Sequence, residues 1–247
     1  MSVTRHVSII AVLWLVSSVL GIAFSLSIGM LPSPASHEAH VVDSAMTLLT
    51  VLAVPVFTLV VIMLGYSMLV FRQRGDVLED GPSIAGNQRI ELLWVGVTLA
   101  LTIFLAGYGT YELLGLRTHA AQSEESLLVK VTGSQWLWEF YYPKQNIRTF
   151  AQLTVPLGRT VQFEVTSKDI VHSFWIPAFR MKIDAVPGLT TRTFSTPDRV
   201  GSFIDDPNFR VQCAELCGLA HSAMFGMVTV MDPKDFDAWA ASQPTAQ

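Results

Sequence analysis

The hydrophobic pattern divides the chain into two halves. In the first half, apolar residues run on with few breaks. Val7 to Met30, Met46 to Phe71 and Ile90 to Leu116 are each long enough to cross a hydrocarbon core as a helix. Pro55 falls inside the second run, where a membrane helix tolerates it if neighbours satisfy the freed carbonyl. Arg72 and Arg74 sit against the end of the second run and Arg89 precedes the third. The positive-inside rule puts the Arg72 to Arg89 loop in the cytoplasm. The second and third runs then form a hairpin, and everything after Leu116 lies outside. The first run follows Arg5 and is followed by Ser33-x-Ala35, which matches a secretory signal with its cleavage site. Its length also suits an extra membrane segment. Residues 1–35 are therefore signal peptide or a further span, and residues 36–120 are the hairpin.

After a polar linker, Arg117 to Ser126, the period changes. Leu127 to Thr132, Thr160 to Val165 and Met227 to Val230 alternate as strands do. Breakers lie between them, among them Gly133, Pro143, Gly158, Pro187, Pro197 and Pro207. Short strands with frequent turns predict an all-β sandwich over 121–247. Asp235 to Ser242 reads as a short terminal helix. Composition agrees with the split. Hydrophobic residues are 51% of the chain and charged residues 15%, too apolar for an ordinary soluble protein. Residues 121–247 carry 11 Lys/Arg against 13 Asp/Glu, a net of −2. A mildly acidic domain argues against nucleic acid as a partner.

The chemistry is concentrated in Cys213-Ala214-Glu215-Leu216-Cys217-Gly218-Leu219-Ala220-His221-Ser222-Ala223-Met224, which holds both cysteines of the chain. His172 stands upstream. Two thiolates, two imidazoles and a thioether are soft or borderline ligands that suit copper. A blue copper site needs two His, one Cys and a weak Met. The extra Cys lets two sulfurs bridge two ions, as expected of a dinuclear, mixed-valence electron carrier. A disulfide is the ordinary fate of two cysteines outside the cell, but it has no use for His221, Met224 and His172. Zinc sites of the Cys2His2 kind want a paired H-x3-5-H, which is missing. Copper is favoured. His6, His37, His40 and His119 show no partner pattern.

With these motifs in order, the chain resembles subunit II of the haem–copper terminal oxidases, the copper A-containing cytochrome c oxidases. The resemblance runs from about Ala45 to the end. It rests on the helical hairpin, on Gly133-Ser134-Gln135-Trp136-Leu137-Trp138-Glu139-Phe140 and on Asp169-Ile170-Val171-His172-Ser173-Phe174. Lys182-Ile183-Asp184-Ala185-Val186-Pro187-Gly188 and the cysteine segment complete it. It implies a cupredoxin-like Greek-key sandwich on a membrane hairpin, set in a bacterial cell membrane with the sandwich outside. It also implies a ligand set. Cys213 and Cys217 would bridge two copper ions, each capped by His172 or His221. Met224 would be a weak ligand to one, and the Glu215 carbonyl to the other. The Glu215 carboxylate would help hold magnesium shared with subunit I. Trp136 would take electrons from cytochrome c, and haem in subunit I would receive them for oxygen reduction and proton pumping. Glu91 would stand at the mouth of a proton path into subunit I; by itself it is a charge complementing a helix N-terminus. Subunits I and III would be the partners.

Leu137 and Val211 depart from the family pattern, as does the longer run Phe203 to Val211. Glu139, Asp169, Asp205 and Asp206 are candidate docking acids for the donor. Two other readings compete: a metal-free structural subunit of a quinol oxidase, which would lack these ligands, and the copper domain of a nitrous oxide reductase, which is soluble.

Overall fold

The computed structural model describes residues 2–29, 31–72, 83, 86–121 and 125–246. Most of the Arg72 to Arg89 loop, with its expected cytoplasmic turn, lies outside the described residues. Three helices come first: α1 (Val3–Ser27), α2 (His37–Val70) and α3 (Gln88–Ala121). All three are long and apolar enough to cross a membrane. Eleven strands follow: β1 (Leu127–Ser134), β2 (Leu137–Tyr142), β3 (Ile147–Phe150), β4 (Gln152–Pro156), β5 (Val161–Ser167), β6 (His172–Ile176), β7 (Met181–Ala185), β8 (Thr191–Ser195), β9 (Gly201–Ser202), β10 (Arg210–Cys213) and β11 (Phe225–Met231). A last helix, α4, covers Pro233–Ser242.

Hydropathy located the spans but not the helix ends. The helix α2 begins at His37, well before the apolar run, because its first turn has a different solvent. Glu38 and Ala39 are buried, and Glu38 Oε2 accepts hydrogen bonds from the Thr196 N–H at 2.7 Å and the Ser195 hydroxyl at 3.2 Å. The chain accordingly divides into two compact units. One comprises Met1–Met30 and Ala45–Glu112, the other Leu31–Ser44 and Leu113–Gln247. The segment before α2 thus belongs with the β domain. At the start of α3, the Asn87 side chain accepts from the Arg89 N–H at 3.1 Å and caps the helix.

The strands form two sheets. One has the order β3-β2-β1-β5-β8, the other β4-β11-β10-β6-β7 with β9 on β11. The non-sequential orders mark a Greek-key sandwich, with β1 parallel to β5 and β4 parallel to β11. Burial alternates along β1 and β5, as period-2 side chains require when one face is dry. Between the sheets lie Trp138, Phe140, Phe163 and Phe174. Phe174 meets the other three rings at centroid distances of 5.7, 6.4 and 5.3 Å. This aromatic centre is rigid and close-packed, and it supports one end of β6, whose first residue is His172.

Candidate metal centre

His172 opens β6 and Cys213 closes β10, and these two strands pair through Gln212–Trp175 and Cys213–Phe174. Two residues distant in sequence are thereby fixed side by side. After Cys213 the chain leaves the sheet, loops through Cys217, makes one 3-10 turn at His221–Ala223 and re-enters as β11 after Met224. The loop is pinned at both ends, since the Cys213 N–H donates to Met224 O at 3.0 Å and the Ala214 N–H to Ser173 O at 3.0 Å.

The side chains converge. Cys213 Sγ and Cys217 Sγ lie 3.7 Å apart, and both are buried free thiols. That is far beyond the ~2.05 Å of a disulfide, yet less than twice a metal–thiolate bond of about 2.3 Å. His172 Nδ1 is 3.9 Å from Cys213 Sγ, and His221 Nδ1 is 3.5 Å from Cys217 Sγ. Met224 Sδ is 3.8 Å from Cys217 Sγ. The Glu215 carbonyl faces the same space, 3.3 Å from Cys213 Sγ, while the residue itself is exposed. All six expected ligands therefore come together. The donors of His172, Cys213 and Cys217 alone lie within 4.8 Å of one another. Sulfur, imidazole and carbonyl at these separations fit soft, thiophilic ions such as copper and do not fit magnesium or calcium.

Several residues of the quoted motifs support the ligands in ways the sequence reading did not assign. The Asp169 carboxylate accepts from His172 Nε2 at 2.8 Å and from the Gln135 N–H at 2.7 Å. This leaves His172 Nδ1 for the metal side, the usual way a carboxylate sets a ligand tautomer. Burial pushes the Asp169 carboxyl up, but donors from Gln135, His172 and Ile170 outweigh it and bring it down to about 2. The Cys217 carbonyl is held twice, by Gln135 Nε2 at 2.8 Å and Trp136 Nε1 at 3.1 Å. Burial, with Cys213 beside it, pushes the Cys217 thiol up to about 11. Metal uptake must therefore displace its proton. The spacing Asp169-x-x-His172 was the one available clue to the first of these supports.

Two glycines allow the close approach. A Cβ on Gly133 would stand 3.1 Å from both His172 Cδ2 and Trp138 Cζ3. Gly218 has φ +111, and a Cβ there would meet Gln135 Nε2 at 3.1 Å. Gly133→Ala should therefore shift the imidazole, alter the metal spectrum and lower stability by about 1–3 kcal/mol, the usual range for overpacking. Absorption spectra and thermal unfolding of the variant would check both. An unchanged spectrum would mean the His172 ring is not tightly seated.

The other expected residues fall elsewhere. Trp136 stays 38% exposed while touching the metal loop. Glu91 lies in the first turn of α3. The candidate docking acids are occupied within the domain. Glu139 pairs with Arg148 and with Lys168 at 2.6 Å. Asp206 pairs with Arg199 at 3.1 Å, and Asp205 accepts from the Ser202 hydroxyl at 2.6 Å.

The chain as a whole is similar to known proteins. The family described as "Cytochrome C oxidase subunit II, periplasmic domain" matches residues 144–231. Cytochrome c oxidase subunit 2 of Synechocystis sp. is 31% identical, over 94% of this chain and 81% of the relative. Heme-copper oxidase subunit 2 of Aeropyrum pernix is 34% identical, over 69% of this chain and 76% of its own. Among solved structures, the periplasmic domain of subunit II from Bradyrhizobium japonicum is 30% identical. It covers 47% of this chain and 92% of that chain, with a TM-score of 0.44.

Proposed function

We propose, since this chain belongs to the cytochrome c oxidase subunit 2 family, that its cysteine cluster holds the dinuclear copper A centre through which the oxidase receives electrons. The family is copper-binding, and the chain is a membrane subunit with its C-terminal domain outside the cytoplasm. The observation that carries the dinuclear reading is the pair of buried, unlinked sulfurs 3.7 Å apart, each with its own imidazole nitrogen.

The residues then have separate tasks. Cys213 and Cys217 would hold both ions, with His172 and His221 each serving one. The Glu215 carbonyl and Met224 would supply the weak contacts. When bound, two coppers sharing two thiolates spread one added electron over both, so little rearrangement accompanies transfer. The protein contributes rigidity: β6 and β10 are hydrogen-bonded strands over an aromatic core, and the loop between the cysteines is held by Gln135 and Trp136. Preorganised ligands of this kind keep their places in either oxidation state.

Trp136 is the group through which cytochrome c delivers electrons. It is exposed on one side and bonded on the other to the carbonyl of a bridging cysteine. The exposed Glu215 carboxylate, its backbone fixed by the metal loop, reaches subunit I and shares a magnesium ion with it. Glu91 stands at the cytoplasmic start of α3 as the mouth of a proton path into subunit I, which carries the haem and reduces oxygen. Subunit III completes the membrane assembly. The domains follow the same division: membrane helices to about residue 120, then the metal-binding sandwich, which Leu31–Ser44 joins. The metal-free quinol oxidase reading has no use for a complete ligand set built around two buried thiols.

Rapid mixing of reduced cytochrome c with the assembled oxidase tests the role. The thiolate–copper absorption of this subunit should bleach before haem in subunit I is reduced. Haem reduction with no prior bleaching would remove the subunit from the electron path.

A further inference from the structure

The N-terminal helix α1 is joined to α2 along much of its length. Trp14 Nε1 donates to Pro55 O at 2.8 Å, Ser18 Oγ lies 2.7 Å from Thr58 Oγ1, and His6 Nδ1 lies 2.6 Å from Tyr66 Oη. The His6 ring also packs on Phe71, with centroids 5.2 Å apart. A Cβ on Gly21 would come within 2.8 Å of Val54 Cγ1. Positions 14, 18 and 21 are spaced i, i+4, i+7 and share one helix face. Ser18, at 6% exposure, is the buried residue of α1. The pairing is antiparallel, residue 6 with 66 and 21 with 54. Arg5 and Arg72 therefore come to the same end, as the positive-inside rule asks of two cytoplasmic flanks.

Hydrogen bonds between polar side chains and close approach over a small residue are what hold helices together in lipid. A secretory signal needs neither, since its apolar region of about 7–15 residues is discarded. The helix α1 has 25 residues.

A second observation lies at the cleavage motif. Ala35 and Ser36 are buried in the β domain. The Ala35 N–H donates to Ala178 O at 2.9 Å, its carbonyl accepts from the Asp198 N–H at 3.2 Å, and Ser36 bridges to Pro197. Upstream, the Arg180 guanidinium spans Asp43, at 2.7 and 2.9 Å, and the Pro32 carbonyl. Arg199 Nη2 donates to Ser33 O at 3.3 Å. The bond a signal peptidase would cut is built into the domain, and residues on both sides of it are bonded there.

We propose that residues 1–35 are retained and that α1 is a resident third membrane helix. It occupies the α2 face made by Val54, Pro55, Thr58 and Tyr66, so no other subunit packs on that face. The inference rests on the membrane-subunit reading but not on copper binding or electron transfer, which a processed chain would keep. Two measurements on the full chain, purified from membranes with the assembled oxidase, test it. Intact mass should include residues 1–35, with or without Met1. A mature chain beginning at Ser36, or anywhere between residues 28 and 45, would overturn the proposal. Ser18→Cys with Thr58→Cys should cross-link within the chain on mild oxidation. Leu20→Cys with Thr58→Cys should not, because Leu20 is 64% exposed on another face. Equal cross-linking of both pairs, or of neither, would overturn the docking of α1 even if the mass were intact.

Discussion

Changing Cys217 to Ser should reduce the metal content from two copper ions per chain to at most one and eliminate the mixed-valence spectrum. Cys217 is fully buried, and its sulfur lies within 4 Å of the Cys213, His221 and Met224 donor atoms. A hydroxyl is a harder and far less acidic ligand than a thiol, so it cannot replace a bridging thiolate. One remaining thiolate supports a mononuclear site at best. Electron transfer from cytochrome c should fall by more than the roughly 10–100-fold that follows loss of a hydrogen-bond partner of a metal ligand. The apo domain should still fold, because sulfur and oxygen differ little in volume and the aromatic core is untouched. Metal analysis and circular dichroism separate these effects. Retention of two coppers in the Ser variant would refute the bridging role.

The second large effect is expected at Trp136. Trp136→Phe should slow transfer from cytochrome c by orders of magnitude while leaving the copper spectrum and the salt dependence of docking near wild type. The substitution removes one hydrogen bond to the Cys217 carbonyl, a net loss of about 0.5–1.5 kcal/mol. Gln135 Nε2 holds the same carbonyl from a second direction, so the loop keeps its place. Truncating a core Trp to Ala costs about 3–5 kcal/mol, but Trp136 is partly exposed and Phe keeps a ring. A variant with an unchanged transfer rate, or one whose loss tracks lost copper, would return Trp136 to a purely structural role. Stopped-flow reduction beside metal analysis distinguishes the three outcomes.

The candidate ligands were legible in the sequence because each carries its chemistry in its residue type. Cys213, Cys217, His221 and Met224 lie within one short segment, and His172 has a recognisable setting of its own. The structure brought all of them together, with the Glu215 carbonyl. The supports were less visible. Asp169 and Glu139 look like docking acids until the fold spends them on His172, Gln135, Arg148 and Lys168. Gly133 looks like a turn residue, yet its missing side chain makes room for the His172 ring. Such roles depend on what lies across the sheet, which local pattern does not encode. The apolar runs coincide with three long helices, but α2 begins at His37 because Glu38 is buried by protein, and hydropathy does not distinguish that from solvent. Ser33-x-Ala35 shows the same limit. As a string it resembles a cleavage site; in the fold its Ala35 is buried in the β domain.

The central claim is that two copper ions share the two thiolates of this one segment. Copper quantification with electron paramagnetic resonance on the purified full-length subunit tests it most directly. The account expects two coppers per chain and a hyperfine pattern from one unpaired electron shared equally by two copper nuclei. One copper with a mononuclear pattern, or zinc taken up in its place, would contradict it.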